Sequence, residues 1–148
     1  LIRGTLVSGT HHAAGEIGHV PVAEDDPAAP SCACGKVGCL EAWISVPRLT
    51  AALHREGADR EAILRGAGAR LGTVLAPVVS MLNLSDVVVA APPALFGDTF
   101  LDAAGENLRS HTLGRSHAEV RMRVPAESEE IVLRGALVMV LSAELGIS

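Results

Sequence analysis

Three cysteines and one histidine make residues 15–41 the most chemically distinctive stretch of this sequence. Cys32, Cys34 and Cys39 are all the cysteines of the chain, and His19 precedes the first of them by thirteen positions. Thiolate sulfurs combined with an imidazole nitrogen are the donor set that selects a tetrahedral zinc ion. Four protein ligands would fill a tetrahedral site and leave no position for water, so the pattern predicts a structural metal. The predicted zinc ligands are His19, Cys32, Cys34 and Cys39.

Two alternatives to this metal site remain open on the residues alone. The three thiols could be buried or oxidised without a metal, although a bridge between Cys32 and Cys34 would be strained. The fourth ligand could also be His11 or His12, which stand close to His19 in the sequence. The glycines of the cysteine segment favour the metal, because they allow tight turns whose amide hydrogens point at thiolates.

The composition of the chain restricts its class. With 148 residues and a net charge of -5, the chain lacks the basic balance that nonspecific nucleic-acid binding needs. No uninterrupted apolar run reaches the ~18–20 residues of a membrane span. An odd, clustered set of cysteines is typical of a reducing cytoplasm rather than of a secreted disulfide framework. The chain begins at Leu1 inside a strand-like pattern, so we expect a fragment whose N-terminal part is missing.

The elements that must position the loop begin with short helices on its C-terminal side. Asp59 is a suitable N-cap for a long helix over residues 60–82, where apolar side chains recur at the helical period. Pro77 is expected to kink or divide that helix. The shorter predicted elements are a hairpin over residues 1–7 and helices over residues 40–44 and 46–54.

The second half of the sequence alternates between strand and helix. Residues 86–91 form a continuous apolar run, which predicts a strand buried on both faces of a mainly parallel sheet. Residues 119–124 alternate between apolar and charged side chains, as a half-exposed strand does. This order predicts an α/β fold with crossover helices. The two helices are predicted over residues 99–109, capped by Asp98, and over residues 129–145, capped by Ser128.

Two motifs of the loop resemble those of a known family. The sequence GEIGH at residues 15–19, followed by CACGKVGCLE at residues 32–41, is similar to the ROK family of bacterial sugar kinases and NagC/XylR-type repressors. The resemblance implies an actin-like (ribonuclease H-like) ATPase-domain fold. It further implies that residues 1–148 are the C-terminal domain of a two-domain protein. A DNA-binding domain, a first actin-like domain, or both would then precede Leu1.

The resemblance also assigns roles to single residues. In the family the matching histidine and cysteines bind zinc, which agrees with the ligands predicted above. The glutamates of the two motifs, Glu16 and Glu41, are implied to contact sugar hydroxyls together with His19. On the residues alone, Glu16 could equally be a solvated loop residue. Glu41 could be a carboxylate placed favourably at a helix start.

The resemblance offers two functions for the whole protein. A sugar-sensing, dimerising domain of a transcriptional regulator would leave DNA contact to a missing N-terminal domain. The alternative is the C-terminal half of an ATP-dependent sugar kinase, whose catalytic aspartate would lie before Leu1, so that this chain has no catalytic residue. Kinase relatives carry a glycine-rich end to the strand that matches residues 86–91, whereas this chain ends that strand with Ala90-Ala91-Pro92-Pro93. His12 also stands where relatives often have glycine. These departures disfavour an ATP site and favour the regulator. The resemblance further implies a homodimer, and the cysteine usage and the absence of a long apolar run predict a cytoplasmic protein with no membrane partner.

Overall fold

The computed structural model describes residues 7–114, 120–126 and 130–146. Within these ranges a single turn of 3-10 helix at Ile17–His19 precedes six α-helices and two short strands. The predicted hairpin over residues 1–7 lies almost entirely outside the described residues. The elements in chain order are α1 (Leu40–Ile44), α2 (Val46–Leu53), α3 (Arg60–Leu82), β1 (Asp86–Val88), α4 (Pro93–Phe96), α5 (Asp98–Ser110), β2 (Arg121–Arg123) and α6 (Ile131–Leu145).

The long helix α3 has the bounds that the sequence predicts. The Asp59 carboxylate accepts a hydrogen bond of 3.0 Å from the Ala62 amide, which satisfies one of the free donors of the first turn. The helix ends at Asn83, whose φ of 49° is the left-handed conformation common after a last turn. The expectation of a division at Pro77 is wrong, because α3 continues without a break through that residue; the alternative expectation, a kink, stays a prediction.

The core is built where α3 packs against α5. Phe100, Ala104 and Leu108 of α5 are buried against apolar side chains of α3 such as Leu71 and Val79. Leu101 of the same helix is half-buried at the edge of the core. By length and composition α3 could also cross a membrane, but half of its most apolar window is buried inside this fold. We therefore describe α3 as a core helix.

Two glycines allow α3 and α5 to approach closely. A β-carbon at residue 68 would overlap the Phe100 carbonyl oxygen, and one at residue 72 would overlap the Ala104 carbonyl oxygen. Both obstacles are backbone atoms of α5, so neither can move aside as a side chain can. Gly68 and Gly72 are therefore required by the distance between the two helices.

The strands β1 and β2 pair in parallel and are connected through α4 and α5. This arrangement confirms the predicted α/β pattern and places Asp86 opposite Arg121. The expectation for residues 86–91 is wrong in two respects. Regular pairing ends at Val88, and that side chain is 43% exposed instead of buried. Among the described residues the sheet has only these two strands, so no third strand extends the pairing.

Several helix ends differ from the sequence prediction. Asp98 is the first residue of α5 instead of its cap; Gly97 holds the cap position. The prolines at 92 and 93 start the short helix α4, which the sequence analysis did not predict. Helix α2 ends one residue early, at Leu53. The predicted cap Ser128 and helix start at residue 129 lie outside the described residues.

The last helix, α6, ends at Leu145 as predicted and carries apolar side chains on its exposed faces. Leu133, Leu137 and Met139 are 73%, 57% and 69% exposed, respectively. Exposure of this extent on successive faces contrasts with α3, whose apolar side chains mostly point into the core.

Candidate functional site

Backbone hydrogen bonds bring the two motifs of the cysteine loop (residues 15–41) side by side. The Val22 amide donates to the Gly38 carbonyl at 2.9 Å, and the Leu40 amide donates to the Val20 carbonyl at 2.9 Å. Between them, Pro21 and Cys39 form an antiparallel bridge. Because the 3-10 turn ends at His19 immediately before this bridge, the imidazole is placed next to the third cysteine.

A tight turn presents the first two cysteines to the same point. The Cys32 amide donates to the Lys36 carbonyl at 2.8 Å, and the Gly35 amide donates to the Cys32 carbonyl at 3.0 Å. Gly35 and Gly38 have φ values of 87° and 74°, in the left-handed region that favours glycine. Gly38 is doubly constrained, since a β-carbon there would lie 2.9 Å from the backbone of Glu24. The two glycines thus have the turn-forming role that the sequence predicts.

The four predicted ligands meet in one cluster. The sulfur atoms of the three cysteines and a ring nitrogen of His19 all lie within 4.8 Å of one another. The Cys34 and Cys39 sulfurs are 3.7 Å apart, and the Cys32 sulfur is 3.6 Å from Nδ1 of His19. Two ligands bound at ~2.3 Å with a tetrahedral angle between them would be ~3.8 Å apart. The donor atoms therefore have the spacing that a tetrahedral metal ion requires.

The pKa values of two of the thiols are shifted in opposite directions, by burial at Cys39 and by hydrogen bonding at Cys34. Burial raises the pKa of Cys39 to about 11, so its sulfur carries a proton at neutral pH when no cation is near. A hydrogen bond from the Lys36 backbone lowers the pKa of the exposed Cys34 thiol. A bound cation would replace the Cys39 proton, because metals bind the thiolate form.

The second ring nitrogen of His19 faces away from the cysteines. Nε2 lies 3.7 Å from a carboxylate oxygen of Glu16, and the two side chains are 32% and 68% exposed. This distance is too long for a direct hydrogen bond, so an oxygen atom of a third group could be hydrogen-bonded to both side chains. Thus Nδ1 of the imidazole lies beside the sulfur atoms, and Nε2 lies near the solvent-accessible carboxylate of Glu16.

Glu41 lies at the same loop through its contact with Gly18. A β-carbon added to residue 18 would lie 3.5 Å from the β-carbon of Glu41 and 3.6 Å from a carboxylate oxygen of the same residue. Both distances are ordinary van der Waals contacts, so Gly18 lies against the Glu41 side chain and brings it beside the motif that contains Glu16 and His19. Sequence reasoning did not predict this contact, although the position of Gly18 inside the first motif could have suggested it.

The structure distinguishes among the three histidines considered as the fourth ligand, His11, His12 and His19. Of these, His19 is the one whose ring reaches the cysteines. His12 has a φ of 55°, which is unfavourable for a residue with a β-carbon. A glycine, which the family resemblance implies at this position, would adopt this conformation without strain.

The chain is similar to curated proteins of two kinds. The chain is 24% identical to a xylose repressor of Caldicellulosiruptor bescii, over 96% of this chain and 42% of the repressor. It is 42% identical to an N-acetylmannosamine kinase of Escherichia fergusonii over 67 residues, which are 44% of this chain and 22% of the kinase. The chain thus spans less than half the length of these relatives.

A solved structure has a similar fold. It is the crystal structure of a ROK family transcriptional regulator, a homologue of the E. coli MLC protein, with a TM-score of 0.65 and 18% sequence identity. The similarity covers 84% of this chain and 38% of that protein. The family model of the ROK family matches residues 1–143, and the chain therefore belongs to the ROK family.

Proposed function

We propose that this chain is the effector-sensing domain of a ROK-type transcriptional regulator and that a structural zinc ion holds its cysteine loop. Glu16, His19 and Glu41 would contact the hydroxyl groups of a sugar or sugar derivative. DNA would be bound by a segment preceding Leu1, in a cytoplasmic homodimer. The observation that supports this proposal best is the position of His19, with one ring nitrogen at the thiols and the other at Glu16.

The chemistry of His19 explains how a metal could support sugar recognition. A metal on Nδ1 leaves the neutral ring with its proton on Nε2 and fixes the direction of that N–H group. A sugar hydroxyl placed between the two side chains could accept from Nε2 and donate to the Glu16 carboxylate. Each carboxylate offers further acceptor positions for neighbouring hydroxyls. The zinc would then act on the ligand only through the orientation of the ring.

Two observations favour a regulator. The similarity to the xylose repressor extends over 96% of this chain, and the solved structure with the similar fold is also a regulator. The prolines after β1 begin helix α4, where a glycine-rich backbone would be needed for close approach of a nucleotide. A sugar would shift the regulator between its DNA-bound and free states only if it binds one state more tightly.

The C-terminal half of a sugar kinase is the second candidate. The stronger local identity, 42% over 67 residues, is to an N-acetylmannosamine kinase. In that case an aspartate outside this chain would act as the base that activates the sugar hydroxyl. ATP hydrolysis dependent on a sugar, measured on the encoded protein with all its flanking sequence, would establish the kinase and contradict the regulator.

The sugar site is tested by one pair of variants. Glu16→Gln keeps the size of the side chain but removes its charge, and should weaken sugar binding in calorimetric titrations of a sugar panel by roughly tenfold. Glu24→Gln is the matched control, because it removes a charge from an exposed side chain of the same loop. Unchanged metal content in both variants would separate the sugar site from the metal site. Equal affinities for wild type and Glu16→Gln would refute the role of Glu16.

A further inference from the structure

A cavity between α1, α2 and α3 is lined by cationic and aromatic side chains, unlike the thiols and carboxylates of the cysteine loop. Its volume is about 260 Å³, and three arginines and the only tryptophan of the chain line it. We call it the arginine cavity; its polar lining residues are Trp43, Arg48, Arg55 and Arg70. None of these residues belongs to the predicted metal or sugar sites.

The tryptophan ring is stacked against the guanidinium groups. The guanidinium carbon of Arg70 is 4.0 Å from the centre of the Trp43 ring, and that of Arg48 is 6.0 Å away. Such cation–π contacts hold the guanidinium groups in a fixed direction without neutralising their charge. The cavity is therefore lined by oriented cations that keep their capacity to bind an anion.

Two buried donors of this cavity have no acceptor. The indole Nε1 of Trp43 and the Nε of Arg70 are both inaccessible to solvent, and neither forms a hydrogen bond to any described part of the chain. Both groups can only donate, so an acceptor in the cavity would satisfy them once a small movement of the lining side chains brings them within its reach. Buried donors without a partner are rare in folded proteins and call for an explanation.

The charges around the cavity favour an anionic ligand. Among the described residues, Arg48, Arg55 and Arg70 form no ion pair within 4.0 Å. Burial lowers the pKa of Arg70, and the charge of Asp26 opposes this effect in part. Three guanidinium groups outnumber the nearby carboxylates, which are Asp26 beside Arg70 and Glu41 in the pocket next to Arg48. The planar fork of arginine matches the oxygen atoms of a phosphoryl group.

We propose that the arginine cavity is a binding site for a phosphoryl group, either free phosphate or the phosphate of a small molecule. The guanidinium groups would form the charge-assisted hydrogen bonds that arginine makes with phosphate oxygens. The side chains of this site are not those proposed to contact sugar hydroxyls, although Arg48 also lines a neighbouring pocket together with Glu41. Arg55 and Arg70 do not line that pocket, so their variants test the phosphate site independently of the sugar site.

The single tryptophan of the chain provides the measurement. Inorganic phosphate is titrated at constant ionic strength, with chloride as the reference anion, while the fluorescence of Trp43 is recorded. We expect a saturable change with phosphate and none with chloride. Calorimetry on the encoded protein with its flanking sequence supplies a second reading that does not depend on fluorescence.

Three variants decide whether the cavity is responsible. Arg70→Met keeps an unbranched apolar stem and should weaken phosphate binding by at least roughly tenfold, equivalent to ~1.4 kcal/mol. Arg55→Met, on the exposed rim, should weaken it severalfold without affecting the core, which keeps the test valid if Arg70→Met does not fold. Arg65→Met is the matched control, because it removes a cation from α3 outside this cavity and should leave the affinity unchanged.

The result that would overturn the proposal is equally specific. Either no saturable phosphate signal is found by fluorescence and calorimetry, or Arg65→Met weakens the affinity as much as the two cavity variants do. The second result would show that phosphate affinity depends on the overall charge of the protein and not on this cavity.

Discussion

In the cysteine loop the side chains that meet are thiols, an imidazole and carboxylates, whereas α3 and α5 meet through apolar side chains and two glycines. The loop has a largely exposed surface, and among its cysteines only Cys32 and Cys39 are buried. The helix pair encloses Phe100 and Ala104 completely. One region therefore depends on bonds to a small partner, and the other on the exclusion of water. Each should fail under a different perturbation.

The largest effect is expected in the helix pair. Gly72→Val would force its side chain against the Ala104 carbonyl, the Asn107 side chain and the Leu108 amide. Separating the helices would open the core, and overpacking of this kind costs ~3 kcal/mol or more. Chemical denaturation should show little or no stable folded protein. Gly135→Ala in α6, where a β-carbon meets nothing within 4 Å, is the control and should be neutral or slightly stabilising.

Metal removal should affect the loop and spare most of the helical structure. A strong chelator, or Cys39→Ser, would leave the remaining ligands without their ion, and the thermal midpoint should fall by several degrees because binding energy contributes to folding. Far-UV circular dichroism below the midpoint should change little, because α3 and α5 do not contain ligands. An unchanged midpoint would contradict a structural metal; loss of all helical signal would contradict the independence of the two regions.

Two glycines of the loop separate backbone strain from steric overlap. Gly35→Ala places a β-carbon in open space at a positive φ, which should cost ~1 kcal/mol. Gly38→Ala adds overlap with the Glu24 backbone and should cost about twice as much, with lower metal affinity. Denaturation and metal titration of both variants measure the two effects. Equal losses would mean that the loop moves to relieve the overlap.

The smallest effect is expected for the ion pair that joins the helices at their surface. Arg65 and Glu106 are 2.6 Å apart, but their side chains are 44% and 55% exposed. A double-mutant cycle with Arg65→Met and Glu106→Gln should give a coupling of ~0.2–1 kcal/mol, as exposed pairs usually do. A coupling much larger than this range would mean that charge, and not close packing, holds α3 to α5.

The sequence predicted best where a short segment determines its own structure. The bounds of α3 follow from the cap at Asp59 and from the helical spacing of its apolar residues, both of which are local. The cluster of His19 with the three cysteines follows from residue types that share few other roles. That this cluster binds zinc, and that Glu16 and Glu41 contact a sugar, remain predictions.

The sequence predicted poorly where distant segments decide the outcome. The run of apolar residues at 86–91 suggested burial on both faces, but the extent of β1 depends on the pairing available from β2. The sequence analysis assigned no role to the glycines at 68 and 72, because only the position of α5 shows why they are needed. The arginine cavity was missed for the same reason, because Trp43 and Arg70 come from separate helices and meet only in the folded chain.

The spacing of contacts along the chain has a consequence for the order of folding. The four sulfur and nitrogen ligands occur between residues 19 and 39, whereas Thr73 and Asn107, which are hydrogen-bonded across the helix pair, are 34 residues apart. The entropy of closing a loop rises with its length, so the ligand cluster has the shorter closure to make. During synthesis it can also form before α5 has been translated. We therefore expect amides of the cysteine loop to become protected before those of α5 in pulse-labelled hydrogen exchange with metal present.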